Sequence, residues 1–371
     1  MGFTLRMSRK AILSCEQPLT RHPLLTPGIF QKTPANFVRL DEFAEPAGYN
    51  LDCLMRVEAL STAEQTTIFR RRRLPPPRIM TGNERRHLNP DRGWIKLCER
   101  YADLLVSRFV YPVIGHIWSP YSWLLERRFT LAEATLSPPA WPRGLTPLRV
   151  LLITDIHTGI FLEPETLWRI IDGLMQARPD LVVIVGDIVT GHVSEATPYL
   201  DALSKASAAP LGAWFCFGNH DYFGGDAQEL RKNLEVVGIK TLKNESVALN
   251  HHGKSFVLGG IDDLLLGKPD WDGVAMPHGA PHLLLAHNPD HFPEAFLRQI
   301  PLTLAGHTHG GQIRFPNGPP IIRQSRYCLD EGVYARGASL LVVSRGLGGV
   351  ALPFRWGADP EAVLLEIVSP D

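Results

Sequence analysis

Cysteine is scarce in this sequence, and long apolar runs are missing near its first residues, so we expect no export signal. The five cysteines lie far apart and form no CxxC pair, so we expect neither a disulfide framework nor a zinc ribbon. The apolar run just before Ser14 has only three residues, which is too short for the core of a signal peptide. We therefore expect a protein of a reducing, cytoplasmic compartment.

The net charge is zero, but this sum conceals two different halves. Residues 1–150 carry 22 Lys and Arg against 13 Asp and Glu, whereas residues 151–371 carry 16 against 25. An acidic half suits cations, while a basic half suits anionic lipid, nucleic acid or solvent. Because 44% of the 371 residues are hydrophobic, the chain can bury a sizeable core.

Residues 1–92 show little sustained periodicity, and we interpret them as an irregular, basic N-terminal extension. They include the run Arg70–Arg73, followed by three consecutive prolines. Blocks of like charge are usually solvated, but they also serve as tails that bind anionic partners. The sequence leaves both alternatives open.

Residues 93–128 form an amphipathic aromatic segment, which we predict to be helical. Leu97, Leu104 and Phe109 recur at helical spacing, and several aromatic residues precede a pair of arginines at its end. Prolines and an arginine inside the segment argue against a membrane-spanning helix. Two alternatives remain open: packing against the following domain, or peripheral contact of residues 94–128 with an anionic cytoplasmic membrane.

Residues 129–371 have the pattern of an α/β domain. Short apolar runs such as LRVLLIT, LVVIVG and AWFCFG alternate with helix-like stretches, of which residues 165–177 carry the clearest apolar stripe. This alternation predicts a parallel sheet buried on both faces. The later apolar runs follow with Gly- and Pro-rich links and predict a second sheet.

Most of these strands are followed by a residue that can bind a metal ion. Because the carboxyl ends of parallel strands meet at one edge of a sheet, we expect these side chains to converge there. The candidates are Asp155, His157, Asp187, Asn219, His287, His307 and His309. Each short motif is common by chance, but the five motifs together and in this order form a specific signal.

In this order the motifs resemble the signature of the calcineurin-like metallophosphoesterases, which reads D-x-H, G-D, G-N-H-D, H and G-H-x-H. The resemblance implies an α/β fold of the four-layer αββα sandwich type, with an N-terminal, partly helical extension. The segments GNHDYFGG, LAGHTHGGQIRFP and SRGLGGVALPFRWG are similar, more narrowly, to a bacterial membrane-associated branch. That branch includes a UDP-2,3-diacylglucosamine pyrophosphatase of lipid A biosynthesis.

The resemblance also implies two divalent metal ions that share Asp187 as a bridging ligand. One ion would be held by Asp155, His157, Asp187 and His309, and the other by Asp187, Asn219, His287 and His307. Mixed carboxylate, amide and imidazole ligands suit Mn²⁺, Fe²⁺ or Zn²⁺ better than Ca²⁺. A hydroxide between the two ions is the expected nucleophile, attacking a phosphodiester or pyrophosphate in line.

The remaining catalytic residues that we predict are His220 and Asp221. Asp221 is expected to accept a hydrogen bond from one ring nitrogen of His220 and so to fix its tautomer. His220 would then stabilise the transition state and protonate the leaving oxygen. The alternative for His220 is a structural histidine in a turn.

Several alternatives within and outside this family differ in their sequence features. The block GDIVTG lacks the arginine that protein Ser/Thr phosphatases carry there, and the acidic catalytic half makes nucleic acid an unexpected partner. A non-catalytic metal-binding scaffold would typically have lost ligands, whereas this chain has the full set. We expect a lipid-linked or nucleotide-linked substrate such as UDP-2,3-diacylglucosamine, with a general phosphodiesterase on soluble substrates as the alternative.

Overall fold

A computed structural model describes residues 69–80, 120–145, 147–159, 161–223, 227–315 and 318–370. Within them the strands form two mixed sheets of seven strands each. In chain order, sheet A contains β1 (Arg70–Arg73), β3 (Thr130–Leu136), β4 (Leu148–Ile153), β5 (Leu181–Val185), β6 (Ala213–Cys216), β7 (Ile239–Thr241) and β14 (Glu361–Ile367). Sheet B contains β2 (Arg78–Ile79), β8 (Glu245–His251), β9 (Lys254–Gly260), β10 (Leu283–Leu285), β11 (Leu302–Ala305), β12 (Gly332–Arg336) and β13 (Ser339–Val343).

The order of the strands places the central ones next to parallel neighbours. Across sheet A the order is β1, β3, β14, β4, β5, β6, β7, and across sheet B it is β2, β12, β13, β11, β10, β9, β8. Pairs β4 with β5, β5 with β6, and β10 with β11 are parallel, so their carboxyl ends lie at a common edge of their sheet. The uninterrupted apolar runs of these strands are typical of strands buried on both faces.

Within the described residues, six α-helices cover the outer faces of the two sheets. They are α1 (Pro120–Arg128), α2 (Pro164–Met175), α3 (Leu200–Ser204), α4 (Ala227–Val236), α5 (Trp271–Ala275) and α6 (Phe292–Leu297). Helices α1 to α4 share one apolar cluster with sheet A, and α5 and α6 share another with sheet B. The expected helix over residues 165–177 is α2, with Pro164 in its first turn, where a proline costs no hydrogen bond.

Alternate residues of the central strands show that the sheets pack face to face. In β4, Leu151 and Ile153 belong to the cluster with the helices, while Val150 and Leu152 point the other way and are equally buried. Successive strand side chains point to opposite faces, so the second set faces the other sheet. The ring of Trp141, which precedes β4 of sheet A, packs against the ring of Phe256 in β9 of sheet B, with centroids 5.9 Å apart. The predicted four-layer αββα sandwich is confirmed.

The arginine run is part of the sandwich, and the expectation of an irregular segment is wrong for residues 70–73 and 78–79, although these strands stay partly exposed to solvent. Arg70–Arg73 forms β1, which pairs in parallel with β3, and Arg78–Ile79 forms β2, which pairs with β12 of sheet B. Carboxylates pair with the two central arginines of the run, since Arg71 lies 3.4 Å from Glu133 and Arg72 contacts Glu361, while Arg70 and Arg73 are exposed. The rest of the predicted extension, residues 1–68 and 81–92, lies outside the described residues.

Helix α1 packs against sheet A rather than presenting its apolar face to solvent. Tyr121 and Leu125 are fully buried, and the Tyr121 hydroxyl donates a hydrogen bond of 2.5 Å to the Leu347 carbonyl. The packing alternative therefore holds at residues 120–128, and the core begins before the predicted boundary at residue 129. Trp123 remains exposed beside Arg127. Residues 93–119 are not among the described residues, so membrane contact of the whole segment stays a prediction.

In the described part of the chain, no helix combines the length and the apolar character that crossing a bilayer requires.

The buried carboxylate of Glu361 in β14 connects this strand to β1 through Arg72. Glu361 accepts hydrogen bonds from the Arg345 side chain at 2.7 and 2.9 Å and from its backbone N–H at 3.0 Å, and it also contacts Arg72. Burial by itself raises the pKa of Glu361, but the charges of Arg345 and Arg72 outweigh this and lower it from 4.5 to about 2. The native state therefore favours the ionised carboxylate.

Replacing this carboxylate should destabilise the protein in a pH-dependent way. We expect Glu361→Gln to lower the free energy of unfolding at pH 7 by about 3–5 kcal/mol, because two buried or half-buried guanidinium groups lose their counter-charge. Since the native pKa is depressed, the difference between wild type and variant should shrink as the pH falls from 4.5 towards 2. Urea unfolding across this range measures it.

The control variant is Glu366→Gln, at an exposed position of the same strand. It should change the free energy of unfolding by less than about 0.5 kcal/mol. Equal effects of the two substitutions would contradict the role assigned to Glu361.

Candidate metal centre

The seven predicted ligand residues all lie at the carboxyl edge of the two sheets. Sheet A supplies Asp155 and His157 after β4, Asp187 after β5 and Asn219 after β6. Sheet B supplies His287 after β10 and His307 and His309 after β11. Each of the seven side chains is at most 7% exposed. The two sheets therefore bring residues from 155 to 309 into one buried cluster.

The ligand atoms of this cluster are as close together as atoms that share a metal ion. Three overlapping groups have their ligand atoms within 4.8 Å: Asp155, His157 and His309; His157, Asp187 and His220; Asp187, His287 and His307. His157 Nε2 and His309 Nε2 are 3.1 Å apart, and His287 Nε2 is 3.1 Å from Asp187 Oδ2. Ligands on metal bonds of about 2.1 Å stand roughly 3–3.5 Å apart, which these separations match.

Asp187 belongs to two of the three groups and lies between the others. Its Oδ2 is 3.8 Å from His157 Nε2 on one side and 3.1 Å from His287 Nε2 on the other. Its Oδ1 accepts a hydrogen bond of 2.8 Å from the backbone N–H of His220. This central position is the one that a ligand shared by two ions would occupy.

The backbone at the cluster is strained. Five of its non-glycine residues have positive φ: Asp155 (51°), His157 (48°), Asp187 (54°), His307 (70°) and His309 (52°). Such conformations cost on the order of 1–3 kcal/mol each and concentrate at functional sites. All five residues lie just after the ends of strands, where their side chains meet.

Two glycines allow the backbone of neighbouring loops to approach the cluster. A Cβ at Gly306 would lie 2.0 Å from Thr154 Oγ1 and 2.3 Å from Asp155 Oδ2, and one at Gly218 would lie 2.2 Å from Asp187 Oδ1. These distances are far below van der Waals contact. Glycine is therefore required at both positions by close packing.

Hydrogen bonds outside the cluster orient two of its members. His287 Nδ1 lies 2.8 Å from the Val185 carbonyl, which accepts only, so Nδ1 is a donor and Nε2 is the ring atom that faces the cluster. Asp155 accepts from the Thr154 hydroxyl at 2.7 Å and from the His307 N–H at 3.1 Å. Asn219 Oδ1 is buried and has no hydrogen-bond partner within the described residues.

The protonation states are shaped by burial and by the carboxylates. Burial lowers the pKa of His157 and of His309, which keeps both rings neutral, as metal ligands must be. Burial raises the pKa of Asp155 to about 6. Burial acts in the same direction on Asp187, but His287 and His220 outweigh it and hold the pKa of Asp187 well below its usual range.

The expected hydrogen bond between Asp221 and the His220 ring is wrong. Asp221 instead accepts from four backbone N–H groups: Gly218 at 2.8 Å, Asp187 and Ile188 at 2.9 Å each, and Val189 at 3.4 Å. His220 Nδ1 lies 2.6 Å from the Thr190 carbonyl. Asp221 is thus a positioning residue that joins the loops after β5 and β6, and Thr190 fixes the tautomer of His220.

Arg355 is a further residue of this region that sequence reasoning did not single out. It is 1% exposed, its Nη2 lies 2.9 Å from His309 Nδ1, and its Nε donates to the Gly348 carbonyl at 2.9 Å. Its segment carries the narrower resemblance, but no spacing in the sequence links it to His309. The Thr190 carbonyl, which contacts His220, belongs to the backbone, so no residue type in the sequence could have indicated its role.

Comparison with known proteins identifies the family. The profile of the family "Calcineurin-like phosphoesterase" matches residues 148–311. "Uncharacterized metallophosphoesterase YkuE" of Bacillus subtilis is 30% identical over 246 residues, which cover 64% of this chain and 85% of that protein. The chain is a calcineurin-like metallophosphoesterase. "Phosphodiesterase YaeI" of Escherichia coli is 33% identical to this metallophosphoesterase over 236 residues, which cover 60% of the chain and 83% of the relative.

A vertebrate protein is also similar to this chain. "Transmembrane protein with metallophosphoesterase domain" of Danio rerio is 35% identical to this metallophosphoesterase over 190 residues, which cover 47% of the chain and 43% of that protein. The metallophosphoesterase is thus a phosphoester hydrolase, and the scaffold alternative has no support. The narrower pyrophosphatase branch is not confirmed by these relatives.

The close approach at Gly306 provides a test of the cluster geometry. We expect Gly306→Ala to lower bound divalent metal at least tenfold, because its methyl group displaces Thr154 and Asp155. Gly191→Ala is the matched control, since the nearest atom to its Cβ is 3.7 Å away. Metal content by mass spectrometry and thermal unfolding distinguish a local from a global effect. Normal metal content in Gly306→Ala would contradict the geometry.

Proposed function

We propose that this metallophosphoesterase is a dinuclear, divalent-metal-dependent phosphodiesterase. The observation that carries the proposal is the buried cluster of seven ligand-type side chains around the shared Asp187, with ligand atoms 3.1–4.0 Å apart. Asp155, His157, Asp187 and His309 would hold one ion, and Asp187, Asn219, His287 and His307 the other. Mn²⁺, Fe²⁺ and Zn²⁺ are the ions that this donor set suits.

The side chains present fit such ions. Among the described residues, Asn219 Oδ1 is a buried acceptor with no hydrogen-bond partner, and His287 Nε2 faces Asp187 Oδ2 at 3.1 Å. Carboxylate and imidazole donors in a buried cluster are unfavourable unless a cation balances them. When bound, two ions there would polarise the phosphoryl oxygens and lower the pKa of an attacking water.

His220 is the residue that we assign to proton transfer. Its backbone N–H is held by Asp187, and its Nδ1 proton is held by the Thr190 carbonyl. Because Nδ1 is fixed in this way, Nε2 is the ring atom that can give a second proton to the leaving oxygen. The ring stands edge-on to His157, with centroids 4.7 Å apart, which places it beside the cluster.

The loop beside His220, residues 190–195, favours a phosphodiester substrate over a phosphomonoester. In the block GDIVTG, the backbone N–H groups of Thr190 and Gly191 donate to Glu195 Oε2, each at 2.9 Å. A carboxylate therefore stands next to the position where Ser/Thr phosphatases carry an arginine. Its negative charge opposes the dianion of a phosphomonoester more than the monoanion of a diester.

The substrate that we propose is a lipid-linked or nucleotide-linked diester or pyrophosphate such as UDP-2,3-diacylglucosamine. Support comes from the sequence segments noted above and from the name of the relative YaeI, a phosphodiesterase. A general phosphodiesterase on soluble substrates is the alternative. The absence of nucleic acid among the substrates also stays a prediction.

Two substitutions should separate metal binding from proton transfer. We expect Asp187→Ala to lose both ions and all hydrolysis of bis-(p-nitrophenyl) phosphate with Mn²⁺. His220→Ala should retain both ions but lose about 10²–10⁴-fold in kcat, because only the general acid is removed. Purification without chelator, metal analysis and steady-state kinetics give the two readouts.

The control is His278→Ala, an exposed histidine outside the cluster, which should leave both quantities unchanged. Full kcat in His220→Ala would refute its catalytic role. Retained metal in Asp187→Ala would refute the shared-ligand assignment.

Substrate preference is tested by comparing three phosphoesters. We expect kcat/KM for bis-(p-nitrophenyl) phosphate to exceed that for p-nitrophenyl phosphate, and Glu195→Gln to narrow the difference by reducing charge repulsion. UDP-2,3-diacylglucosamine is then compared with the soluble diester. Faster hydrolysis of the soluble diester would favour the general phosphodiesterase.

A further inference from the structure

A cavity of about 270 Å³ lies at the same edge of the sheets as the metal centre. Its walls come from the segments that follow β6, β7 and β9. Because β6 and β7 run parallel to β5, and β9 runs parallel to β10, these segments leave the same carboxyl edges as the candidate metal ligands. The lining residues are Tyr222, Lys243, Asn244, Asp262, Leu266, Gly267 and Lys268.

The turn Asn219–Phe223 borders both the metal centre and this cavity. The Tyr222 N–H donates to the Asn219 carbonyl at 3.2 Å, and the Phe223 N–H donates to the His220 carbonyl at 3.0 Å. The rings of His220 and Phe223 meet edge to face, with centroids 4.5 Å apart. Because His220 is assigned to the leaving oxygen, the leaving group of a bound substrate would pass Phe223 towards the cavity.

Lys243 presents free donors to the cavity. Its Nζ lies over the rings of Tyr222 and Phe217, at 5.1 and 5.6 Å from their centroids, and these contacts hold the side chain in place. The Asp262 carboxylate is 3.6 Å from Nζ, which is too long for a hydrogen bond. The side chain is 31% exposed, so its ammonium group is partly desolvated but accessible.

The buried carboxylate of Asp262 has its own donors. Its Oδ1 accepts from the Asp263 N–H at 2.9 Å and from the Tyr222 hydroxyl, and its Oδ2 accepts from the Lys268 N–H at 2.8 Å. These hydrogen bonds join the segments after β6 and β9. They also leave the ammonium group of Lys243 able to bind a second anion.

Lys268 contributes a second positive charge to the cavity. The residue is exposed, and its ammonium group forms no ion pair with the described part of the chain. The seven lining residues include two lysines against the single carboxylate of Asp262. The lining therefore carries a net positive charge.

The acidic residues that neighbour the lining along the chain have partners elsewhere. Asp263 Oδ2 accepts from two backbone N–H groups at 2.7 and 2.6 Å. The Asp270 side chain caps the first turn of α5, and Glu245 Oε1 lies 3.5 Å from Arg231 Nη2. These carboxylates weaken the positive field of the cavity, but none of them forms an ion pair with its two lysines.

We propose that this cavity binds a phosphate carried by the leaving group of the substrate, with Lys243 and Lys268 as the residues that contact it. Lysine binds phosphate as a point charge, and a dianionic phosphate gains more from two ammonium groups than a carboxylate does. The Tyr222 ring and the exposed side chain of Leu266 would contact the carbon skeleton of the leaving group. This inference deepens the proposed function and rests on it, since it places the leaving group beside His220.

The test compares two sugar phosphates as ligands of the full-length protein loaded with Mn²⁺. Glucose 1-phosphate has one phosphate, and glucose 1,6-bisphosphate has a second one across the ring. We expect the wild type to bind the bisphosphate at least tenfold more tightly in calorimetry, because one phosphate can lie at the metal centre while the other reaches the cavity. Lys243→Met combined with Lys268→Met should reduce this ratio to less than threefold.

Two further variants guard against effects on folding. Lys268→Met alone changes an exposed side chain without an ion pair in the described structure, and it should lower the ratio at least threefold. The matched control is Lys232→Met combined with Lys254→Met, two exposed lysines on α4 and at the amino end of β9. It should keep the ratio of the wild type. Thermal unfolding reports whether each variant is folded.

Equal affinity of the wild type for the two sugar phosphates would overturn the proposal. So would a ratio that persists in the folded double variant, or, if that variant does not fold, in Lys268→Met. Hydrolysis of bis-(p-nitrophenyl) phosphate, whose leaving group has no phosphate, tests the proposed function separately. Absent hydrolysis with the expected binding ratios would refute the phosphodiesterase and support the cavity as a phosphate site.

Discussion

The burial of two carboxylates, Asp155 and Asp187, next to one another is the constraint on which the rest of this structure depends. Both lie against His287, whose Nε2 is 4.0 Å from Asp155 and 3.1 Å from Asp187. Like charges this close repel strongly where water is excluded, so donors and cations must balance them. The positive φ angles, the glycines at positions of close approach and the four N–H groups around Asp221 all serve this cluster.

The site requires both sheets to be packed in register, because each supplies only part of the cluster. Sheet A contributes the carboxylates and Asn219, while sheet B contributes three of the histidines. The N-terminal part of the described chain helps to join the layers. Residues 69–80 contain β1, which is an edge strand of sheet A, and β2, which is an edge strand of sheet B. A segment far from the motifs thus contributes to the scaffold that positions them.

The loops after β11 and β13 combine two properties that usually conflict. They expose large apolar side chains, which favours binding but costs solubility, and they contact a candidate metal ligand, which demands rigidity. Gln312 and Arg355 hold the backbone of these loops in place. The Gln312 side chain donates a hydrogen bond to the Val350 carbonyl, and Arg355 Nη2 lies 2.9 Å from His309 Nδ1. The exposed side chains are therefore displayed from a fixed backbone.

The sequence by itself determined the class of fold and the set of residues at the strand ends. Apolar runs and helical periodicity are local patterns, and the order of the short motifs predicts which side chains meet at the sheet edge. Tertiary structure alone decided their hydrogen-bond partners. Thr190 holds His220 through a backbone carbonyl, and Asp221 binds backbone N–H groups, which have no residue-specific signal. Arg72 meets Glu361 across 289 residues, so only the folded chain could turn an isolated run of arginines into a strand.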